Sequence, residues 1–442
     1  MAGLARLMLT KGKIVCGSDL KKSDELSNLT KLGVKVFYGH KKKNISKDID
    51  LVVFSGAIKE NNIELLTAKS LGIKTMERSE FLGEITKLYK NVIAVTGTHG
   101  KTTTTAIIGK IFQQANLNPT IHIGGDVIDF DSNIVIGSDE FFITEACEYR
   151  ESFKYINPNT TVITNIEPDH LDFYKTFDNL KVAFNKFANN TSDNLVMFDN
   201  KYINIENKSI KAFNIGLDGN KEFSIFDITQ TDKGYRFKIK EKDIGVYNFE
   251  INKIGYHNVI NTVIAIVVAI LYGIDINIIK RAVSQFLGVK RRYEQIGYIL
   301  DTPIICDYAH HPTEIENSIK GIKDRYKRIL CVFQPHTYTR TANLITEFTT
   351  CFNLVERLII FKTYPARERV LKEGKAIVLF RKVLIKNKYY VRTNSKLFQN
   401  LKNCAPKFDV ILVLGAGDIY TRVKKVIFSK KICWQIINFI LY

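Results

Sequence analysis

The chain has 442 residues, of which 45% are hydrophobic and 25% charged, and this size and composition predict a folded protein of two or three domains. Its seven cysteines contain no Cys-x-x-Cys pair, which argues against a zinc site and against a disulfide framework. The net charge of +19 comes from basic residues that form no long block beyond Lys41–Lys43, so it indicates a lysine-rich surface more than a nucleic-acid-binding protein.

The sequence predicts neither a signal peptide nor a membrane span. Met1–Lys13 has no long apolar core, and the apolar run Val259–Gly273 is too short to cross a bilayer and contains Asn261. The apolar tail Ile432–Tyr442 is also too short, and it fits either a final helix or an extension. We expect a cytoplasmic protein that acts as a monomer or a homodimer.

Strand-like and helix-like runs alternate along most of the chain, which is typical of parallel α/β domains. The predicted strands are, in chain order, Lys13–Cys16, Lys35–Tyr38, Leu51–Ser55, Asn91–Thr96, Phe141–Ala146, Thr161–Ile166, Ile304–Tyr308, Ile329–Gln334, Leu358–Thr363 and Val410–Leu414. The predicted helices are Lys101–Ala115, Leu171–Asn189, Tyr256–Leu271 and Asn277–Leu287. Residues 222–251 change to short alternating strands, which indicates an antiparallel patch. Linkers near residue 88 and at 288–294 predict three domains, at 1–88, 89–294 and 295–442.

A strand, a glycine-containing loop and a helix follow one another at residues 91–115, in the arrangement of a phosphate-binding loop. The strict motif has glycine where Val95 stands, so the match is to a shorter variant, Gly-x-x-Gly-Lys-Thr. Lys101 would neutralise phosphate charge and Thr102 would bind Mg²⁺, while the helix N-terminus adds positive partial charge. The predicted nucleotide-binding residues are Gly97, Thr98, His99, Gly100, Lys101, Thr102 and Thr103.

Acidic side chains follow the next two predicted strands of this region. Glu145 lies at the end of the first and Glu148 just after it, while Asn165 lies at the end of the second and is followed by Asp169 and His170. Residues at the carboxyl ends of parallel strands meet at the ligand-binding edge of a sheet. Glu145 is therefore the first candidate for a Mg²⁺ ligand and Glu148 the second, with capping of the following turn as the alternative for either.

Six of the eight histidines lie in short polar strings, which are His99, His170, Gly255-Tyr-His257-Asn258, Asp307-Tyr-Ala-His310-His311-Pro312 and Phe333-Gln-Pro-His336. Scattered structural histidines are not expected to group in this way. Together with Gly288-Val-Lys-Arg291-Arg292-Tyr293, these strings resemble the Mur ligase family in their order and spacing. The branch of the family that adds L-alanine is resembled most by Asp307–Glu314, Phe333–His336, Tyr364–Glu368 and Gly415–Ile419.

The resemblance extends from Met1 to about Thr421 and implies an α/β protein of three domains. A Rossmann-like N-terminal domain would bind a UDP-sugar, a central P-loop domain with a parallel sheet would bind ATP, and a Rossmann-like C-terminal domain would bind the amino acid. The implied activity is an ATP-dependent ligase that joins L-alanine to the carboxylate of UDP-N-acetylmuramate through an acyl phosphate, with Mg²⁺ as cofactor and no nucleic-acid partner.

The resemblance also implies roles for individual residues. Lys101, His170, Arg292 and His310 would be catalytic, and Thr102, Glu145 and His170 would bind metal. Other ATP contacts would come from the group His257, Asn258, Arg292 and Asp307. The other substrates would contact Ser18, Asp19, Asn165, His336 and Arg340, with Ser55 and Arg78 as further candidates.

The sequence departs from the family at its start. Relatives begin with an apolar strand and a glycine-rich loop that leads into Met-Ser-Gly-Leu-Ala, whereas this chain opens at Met1-Ala-Gly-Leu-Ala5. We expect the first strand and the diphosphate-binding loop to be missing, which would leave neighbouring strands unpaired on one side. Cys147 and Thr337 also stand where many relatives have Asp and Arg.

Three other interpretations stay open at this stage. A related Mur-type ligase could add another amino acid or a peptide. A truncated chain could bind ATP without turnover. The net charge alone would fit an ATPase that binds nucleic acid.

Overall fold

The computed structural model describes residues 1–428 apart from 131, 218, 220, 243 and 367, and it describes only the backbone of residues 172, 426 and 428. The predicted apolar tail lies outside the described residues. The described residues form two compact units, one of residues 1–252 and 257–287, the other of residues 253–256 and 288–428. The boundaries predicted for the three domains remain predictions, because this division groups the first two domains together.

The first unit begins with four short strands and four helices. The strands form two separate two-stranded parallel sheets, the first and second strands in one and the third and fourth in the other. These elements are α1 (Ala2–Thr10), β1 (Cys16–Asp19), α2 (Asp24–Lys31), β2 (Lys35–Tyr38), β3 (Leu51–Phe54), α3 (Ile63–Ser70), β4 (Lys74–Glu77) and α4 (Arg78–Thr86). Leu4 and Leu7 of α1 are buried in one hydrophobic cluster with Leu82 of α4 and Ile134. The opening segment is therefore packed into the core of the unit.

A ten-stranded sheet forms the rest of the first unit, in the order β14-β13-β12-β11-β10-β9-β5-β8-β6-β7. Its strands are β5 (Asn91–Thr96), β6 (Thr120–Val127), β7 (Ser132–Val135), β8 (Phe141–Glu145), β9 (Thr160–Ile163), β10 (Asn194–Phe198), β11 (Lys211–Gly216), β12 (Phe223–Gln230), β13 (Tyr235–Glu241) and β14 (Gly245–Ile251). Neighbours from β12 to β6 along this order pair in parallel, whereas β12–β13, β13–β14 and β6–β7 are antiparallel. The carboxyl ends of β5, β8 and β9 therefore meet at one edge.

Five helices accompany this sheet, and these are α5 (Lys101–Gln114), α6 (Leu171–Tyr174), α7 (Phe177–Asn189), α8 (Tyr256–Leu271) and α9 (Ile276–Ser284). Short 3₁₀ segments lie at Lys42–Asn44 and Tyr149–Tyr155. Most residues of α8 are buried, which explains its apolar sequence. Within the described part of the chain, no helix is both long and apolar enough to cross a bilayer.

The second unit is a six-stranded sheet in the order β15-β16-β20-β17-β18-β19, with only β15–β16 antiparallel. Its strands are β15 (Glu294–Ile299), β16 (Thr302–Asp307), β17 (Ile329–Phe333), β18 (Arg357–Phe361), β19 (Lys388–Val391) and β20 (Val410–Leu414). Its helices are α10 (Pro312–Lys323), α11 (Tyr338–Asn343), α12 (Ile345–Phe348), α13 (Ala376–Lys382), α14 (Asn394–Cys404) and α15 (Ile419–Phe428), with a 3₁₀ turn at Ala405–Lys407. The buried strand residues are divided between two hydrophobic clusters. Alternate residues of β17 belong to different clusters, because successive side chains of a strand point to opposite faces of the sheet.

Two predicted elements of the first unit are wrong. The strand predicted at Lys13–Cys16 lies at Cys16–Asp19. The helix predicted at Leu171–Asn189 is two helices, because Lys175 has a φ of +69° and Thr176 caps α7 by accepting a hydrogen bond from the N–H of Asn179. The antiparallel patch at residues 222–251 is confirmed.

Candidate active site

The loop between β5 and α5 requires glycine at two positions. Gly97 and Gly100 have φ angles of +133° and +85°, a region that favours glycine. A Cβ atom on Gly97 would lie 2.1 Å from Oγ1 of Thr164, and one on Gly100 would lie 2.3 Å from Oδ1 of Asn261. Gly100 is also the N-cap of α5, so the N–H groups of a helix start open onto the loop. This geometry suits a bound phosphate.

Side chains that follow β9 hold this loop in place. Asn165 accepts a hydrogen bond from the N–H of His99 (2.9 Å) and donates one to the carbonyl oxygen of His99 (3.0 Å). Thr98 Oγ1 donates to the carbonyl of Glu167 and accepts from its N–H. Asn165, predicted as a substrate ligand, thus uses its amide to fix the phosphate loop.

Lys101, Glu148 and His170 form a compact charged cluster beside the loop. Nζ of Lys101 donates to the carbonyl oxygens of Gly97 and Thr98 and to Oε1 of Glu148 (3.0 Å). Nε2 of His170 lies 3.5 Å from Oε1 of Glu148. Glu148 is 2% exposed, and its Oε2 atom is within ion-pair range of Lys101 but accepts no hydrogen bond from any residue in the described part of the chain.

The cluster keeps its charges although it is buried. Burial opposes the ionised form of Glu148, but the charge of Lys101 and hydrogen bonds outweigh it and lower the pKa of Glu148. Burial likewise acts against the charge of Lys101, yet Glu148 raises the pKa of Lys101. The pKa of His170 is also raised, because its hydrogen bond to Glu148 and the charge of Asp169 exceed the effect of burial.

The predicted metal ligands lie around this cluster. Glu145, at the end of β8, accepts a hydrogen bond from the N–H of Gly124 (2.7 Å), and Thr102 lies in the first turn of α5. Among the residues that the structure describes, no group of three or more His, Cys, Asp or Glu side chains is arranged to hold a metal ion. The metal assignment of Thr102, Glu145 and His170 therefore stays a prediction.

The start of α8 supplies the predicted adenine contacts. His257 is exposed, whereas Asn258 is buried and its carbonyl accepts a hydrogen bond from the Thr262 hydroxyl. Asn261, one turn further along the helix, lies against Gly100. The structure therefore connects α8 directly to the phosphate loop.

In the second unit, Asp307 ends β16 and is buried. Its carboxylate accepts hydrogen bonds from the N–H groups of Tyr293 (3.1 Å) and Ala309 (2.9 Å). Burial raises the pKa of Asp307, against the influence of the Arg292 charge. The guanidinium of Arg292, on an exposed residue, lies 5.4 Å from the centre of the Tyr308 ring. Each Asp307 oxygen keeps a further lone pair for another donor.

His310, His336 and Arg340 come together near the ends of β16 and β17. The two imidazole rings meet edge to face at 5.8 Å, and His336 also stacks on Tyr364. Nη1 of Arg340 lies 3.2 Å from Nδ1 of His336. Nδ1 of His310 lies 3.0 Å from the carbonyl oxygen of Tyr308. Since Arg340 can only donate, His336 accepts at Nδ1, and His310 must donate at Nδ1 to a carbonyl.

Both histidines of this cluster favour the neutral form. Burial and the neighbouring His310 lower the pKa of His336 to about 4. Burial also lowers the pKa of His310, although Glu314 acts in the opposite direction. The cluster therefore offers an N–H donor at Nε2 of His336, a proton acceptor at Nε2 of His310 and the positive charge of Arg340. His311 instead takes part in a capping box with Glu314 at the start of α10.

Three family models match consecutive parts of the sequence. They are described as the Mur ligase family catalytic domain, the Mur ligase middle domain and the Mur ligase glutamate ligase domain, and they match residues 1–90, 95–269 and 291–417. The chain belongs to the Mur ligase family.

Curated relatives of this Mur ligase are UDP-N-acetylmuramate–L-alanine ligases. The protein from Clostridium tetani is 40% identical, and that from Clostridium kluyveri is 38% identical; each comparison covers 95% of this chain and 94% of the relative. Among solved structures, the UDP-N-acetylmuramate–alanine ligase of Thermotoga maritima matches with a TM-score of 0.80 and 25% identity, over 97% of this chain and 95% of that one.

The residues predicted to bind the UDP-sugar include Ser18 and Asp19, which form hydrogen bonds with neighbouring residues of the chain. Ser18 Oγ donates to Oε2 of Glu64 (2.5 Å), which also lies 2.8 Å from Nδ1 of His40. Asp19 accepts a hydrogen bond from the N–H of Lys21. Ser55 directly follows β3. These contacts connect Ser18 to His40 and Glu64, which the sequence did not single out.

Arg78 is paired with a buried histidine. Its Nη2 lies 3.2 Å from Nε2 of His122, whose Nδ1 lies 3.0 Å from Oγ1 of Thr144. Burial and the charge of Arg78 lower the pKa of His122 to about 3. His122 is therefore neutral, with its proton on Nδ1 and its other nitrogen accepting from Arg78.

The sequence understated Glu148 and did not identify Asn261. Glu148, ranked behind Glu145, is the carboxylate that contacts both Lys101 and His170. Asn261 had a usable signal, since it is a buried polar residue one helical turn after Asn258 in an otherwise apolar helix.

Proposed function

We propose that this Mur ligase joins L-alanine to the carboxylate of UDP-N-acetylmuramate at the expense of ATP, in the synthesis of peptidoglycan precursors. The observation that carries the proposal is the likeness, over 95% of the chain, to ligases of this name. The phosphate loop at Gly97–Thr102 and the polar cluster of His310, His336 and Arg340 support it. We place the protein in the cytoplasm, where ATP and such precursors are available.

The first step would transfer the γ-phosphoryl group of ATP to the muramate carboxylate. A carboxylate oxygen bonds to the γ-phosphorus, the bond to the β-phosphate oxygen breaks, and ADP leaves. Lys101 and the N–H groups at the start of α5 would stabilise the phosphate charge. Arg292 is an exposed cation next to the predicted ribose ligand Asp307, and it would contribute further charge at the γ-phosphate.

The second step would form the amide. The amino group of L-alanine attacks the acyl carbon, a proton leaves the nitrogen, and inorganic phosphate departs. Arg340 and Nε2–H of His336 suit the alanine carboxylate, and the unprotonated Nε2 of His310 suits the ammonium proton. The role of His310 as proton acceptor needs a neutral imidazole, and its lowered pKa favours that form. The lowered pKa of His336 likewise keeps Nδ1 unprotonated, so that it can accept from Arg340.

The residues near Lys101 also fit a magnesium ion. Thr102, Glu145 and Glu148 would supply oxygen ligands, which Mg²⁺ prefers. Oε2 of Glu148 is buried and has no hydrogen-bond donor among the described residues, although it lies 2.9 Å from the Lys101 ammonium. His170 would lie at the edge of this group. When bound, Mg²⁺ would neutralise charge on the phosphates and so lower the barrier to transfer.

The test is direct. The intact protein is incubated with UDP-N-acetylmuramate, ATP, Mg²⁺ and either L-alanine, glycine, L-serine or a muropeptide, and the products are identified by mass spectrometry. We expect the alanylated sugar nucleotide to form fastest. Faster product formation with any other acceptor, or no product with all of them, would contradict the proposal.

A further inference from the structure

The two neighbouring arginines of the linker motif have different environments. Arg292 is exposed, whereas Arg291 is half-buried, with its guanidinium 4.5 Å from the centre of the Tyr308 ring and 5.4 Å from that of Tyr420. Nη2 of Arg291 donates to the carbonyl oxygens of Gly415 (2.5 Å) and Gly417 (3.1 Å). Arg291 is therefore fixed to the loop that follows β20, while the proposed ATP contact falls to Arg292.

The backbone around Arg291 is held in an unfavourable conformation. Arg291 has a φ of +63°, which is uncommon for a residue with a side chain. Its N–H donates to Oε2 of Glu294 (2.7 Å), and Oε1 of Glu294 accepts from the hydroxyl of Tyr420 and from Lys424. Such conformations persist only where surrounding contacts enforce them, and they are concentrated at functional sites.

The loop at 415–418 in turn contacts Tyr364, on which His336 of the proposed amino-acid site stacks. A Cβ atom on Gly417 would lie 2.4 Å from Oε1 of Gln334 and 2.7 Å from Cβ of Tyr364. Gln334 fixes the loop further by donating to Oδ1 of Asp418 (2.8 Å) and accepting from the N–H of Ile419 (2.9 Å). Because the Tyr364 ring stacks on His336 at 5.5 Å, any shift of Gly417 displaces the surface on which His336 rests.

We propose that Arg291 is a positioning residue for amino-acid binding. By fixing the carbonyls of Gly415 and Gly417, it sets the place of Tyr364 and therefore the orientation of His336. The inference rests on the proposed function, since it names what holds one of its substrate-binding side chains. A lysine can replace Arg291 only in part, because an ammonium group keeps the charge but lacks the flat fork that stacks on rings and bonds two carbonyls at once.

The variants Arg291→Ala and Arg291→Lys test this role by steady-state kinetics. For Arg291→Ala we expect the KM for L-alanine to rise about tenfold, equivalent to about 1.4 kcal/mol. The Kd for ATP, measured without the other substrates, should change less than about twofold, because Arg291 makes no proposed contact with ATP. The lysine variant should be intermediate. Millimolar methylguanidine should lower the KM for L-alanine of the alanine variant toward the wild-type value.

Arg357→Ala is the matched control. Arg357 also lies between two rings, 5.2 Å from the centre of Tyr389 and 5.6 Å from that of Phe408, and donates to Asn387. Arg357 lies at the amino end of β18, whereas Gly415 follows the carboxyl end of β20. Because β18, β17 and β20 are parallel, the two residues lie at opposite ends of the strands. We expect Arg357→Ala to lower the thermal stability about as much as Arg291→Ala does, but to keep the wild-type KM for L-alanine.

Gly417→Ala perturbs the same contact from the other side and leaves Arg291 intact, so it is informative even if Arg291→Ala does not fold. It should also raise the KM for L-alanine. An unchanged KM for L-alanine in the folded Arg291 variants and in Gly417→Ala would overturn the inference, as would an equal rise in Arg357→Ala. Failure of the proposed function is distinguishable, because it would appear in the wild-type protein as absence of the alanylated product.

Discussion

Replacing Glu148 by glutamine tests whether the buried pair with Lys101 stabilises the phosphate loop. The change keeps the shape of the side chain but removes its charge, so the Lys101 ammonium loses the carboxylate that lies 2.9 Å away. Removing one partner of a buried ion pair costs about 3–5 kcal/mol. The carbonyls of Gly97 and Thr98 still accept hydrogen bonds from Lys101, so we expect the lower limit, about 3 kcal/mol.

Calorimetry measures this loss as a change in the midpoint of thermal unfolding. The two units need not unfold together, so the transition of the first unit is identified as the one that ATP shifts upward. A loss of about 3 kcal/mol corresponds to a decrease of roughly 5 °C in that midpoint for a unit of this size. Bound ATP should restore part of the difference, because its phosphates supply new negative charge to Lys101.

Two further variants show whether loss of the Lys101–Glu148 ion pair causes the expected decrease in stability. Glu151→Gln removes a nearby carboxylate that forms a surface pair with Lys154 at 3.8 Å, and it should cost less than about 0.5 kcal/mol. The double variant Lys101→Met with Glu148→Gln leaves no buried charge unpaired, so its cost should be smaller than the sum of the two single changes. Equal destabilisation by the Glu148 and Glu151 changes, or strict additivity in the double variant, would refute the reasoning.

Three other predictions concern activity and pH. Lys101→Ala should lower the rate of alanylated product formation at least about a hundredfold, as measured by mass spectrometry, while the fold measured by circular dichroism is retained. Arg340→Ala should raise the KM for L-alanine more than that for ATP. His122 has a folded pKa of about 3, below the unfolded value, so its contribution is complete above pH 6.5 and is lost as the pH falls. Between pH 7 and 5 the wild type should lose about 2 kcal/mol more than His122→Gln, as measured by urea unfolding.

Local sequence determined the elements and the phosphate loop. The strand Asn91–Thr96, the helix from Lys101 and the helix Tyr256–Leu271 lie where the periodicity predicts them. Gly97 and Gly100 could be recognised in the sequence as parts of a phosphate loop, because the backbone conformation and the close packing of such a loop admit only glycine there. The family resemblance, carried by short strings around the histidines, was likewise a property of the sequence alone.

Tertiary structure decided which of these residues touch. Glu148 and Glu145 are both plausible in the sequence, yet only the pairing of β5 with β8 and β9 brings Glu148 against Lys101 and His170. The family resemblance gave Arg292 a role and none to Arg291, and only the position of the loop after β20 shows that Arg291 is half-buried and Arg292 exposed. The physical reason is that periodicity and turn chemistry act over a few neighbouring residues, whereas burial, ion pairing and protonation depend on side chains that are distant in the chain and become neighbours only when the strands align.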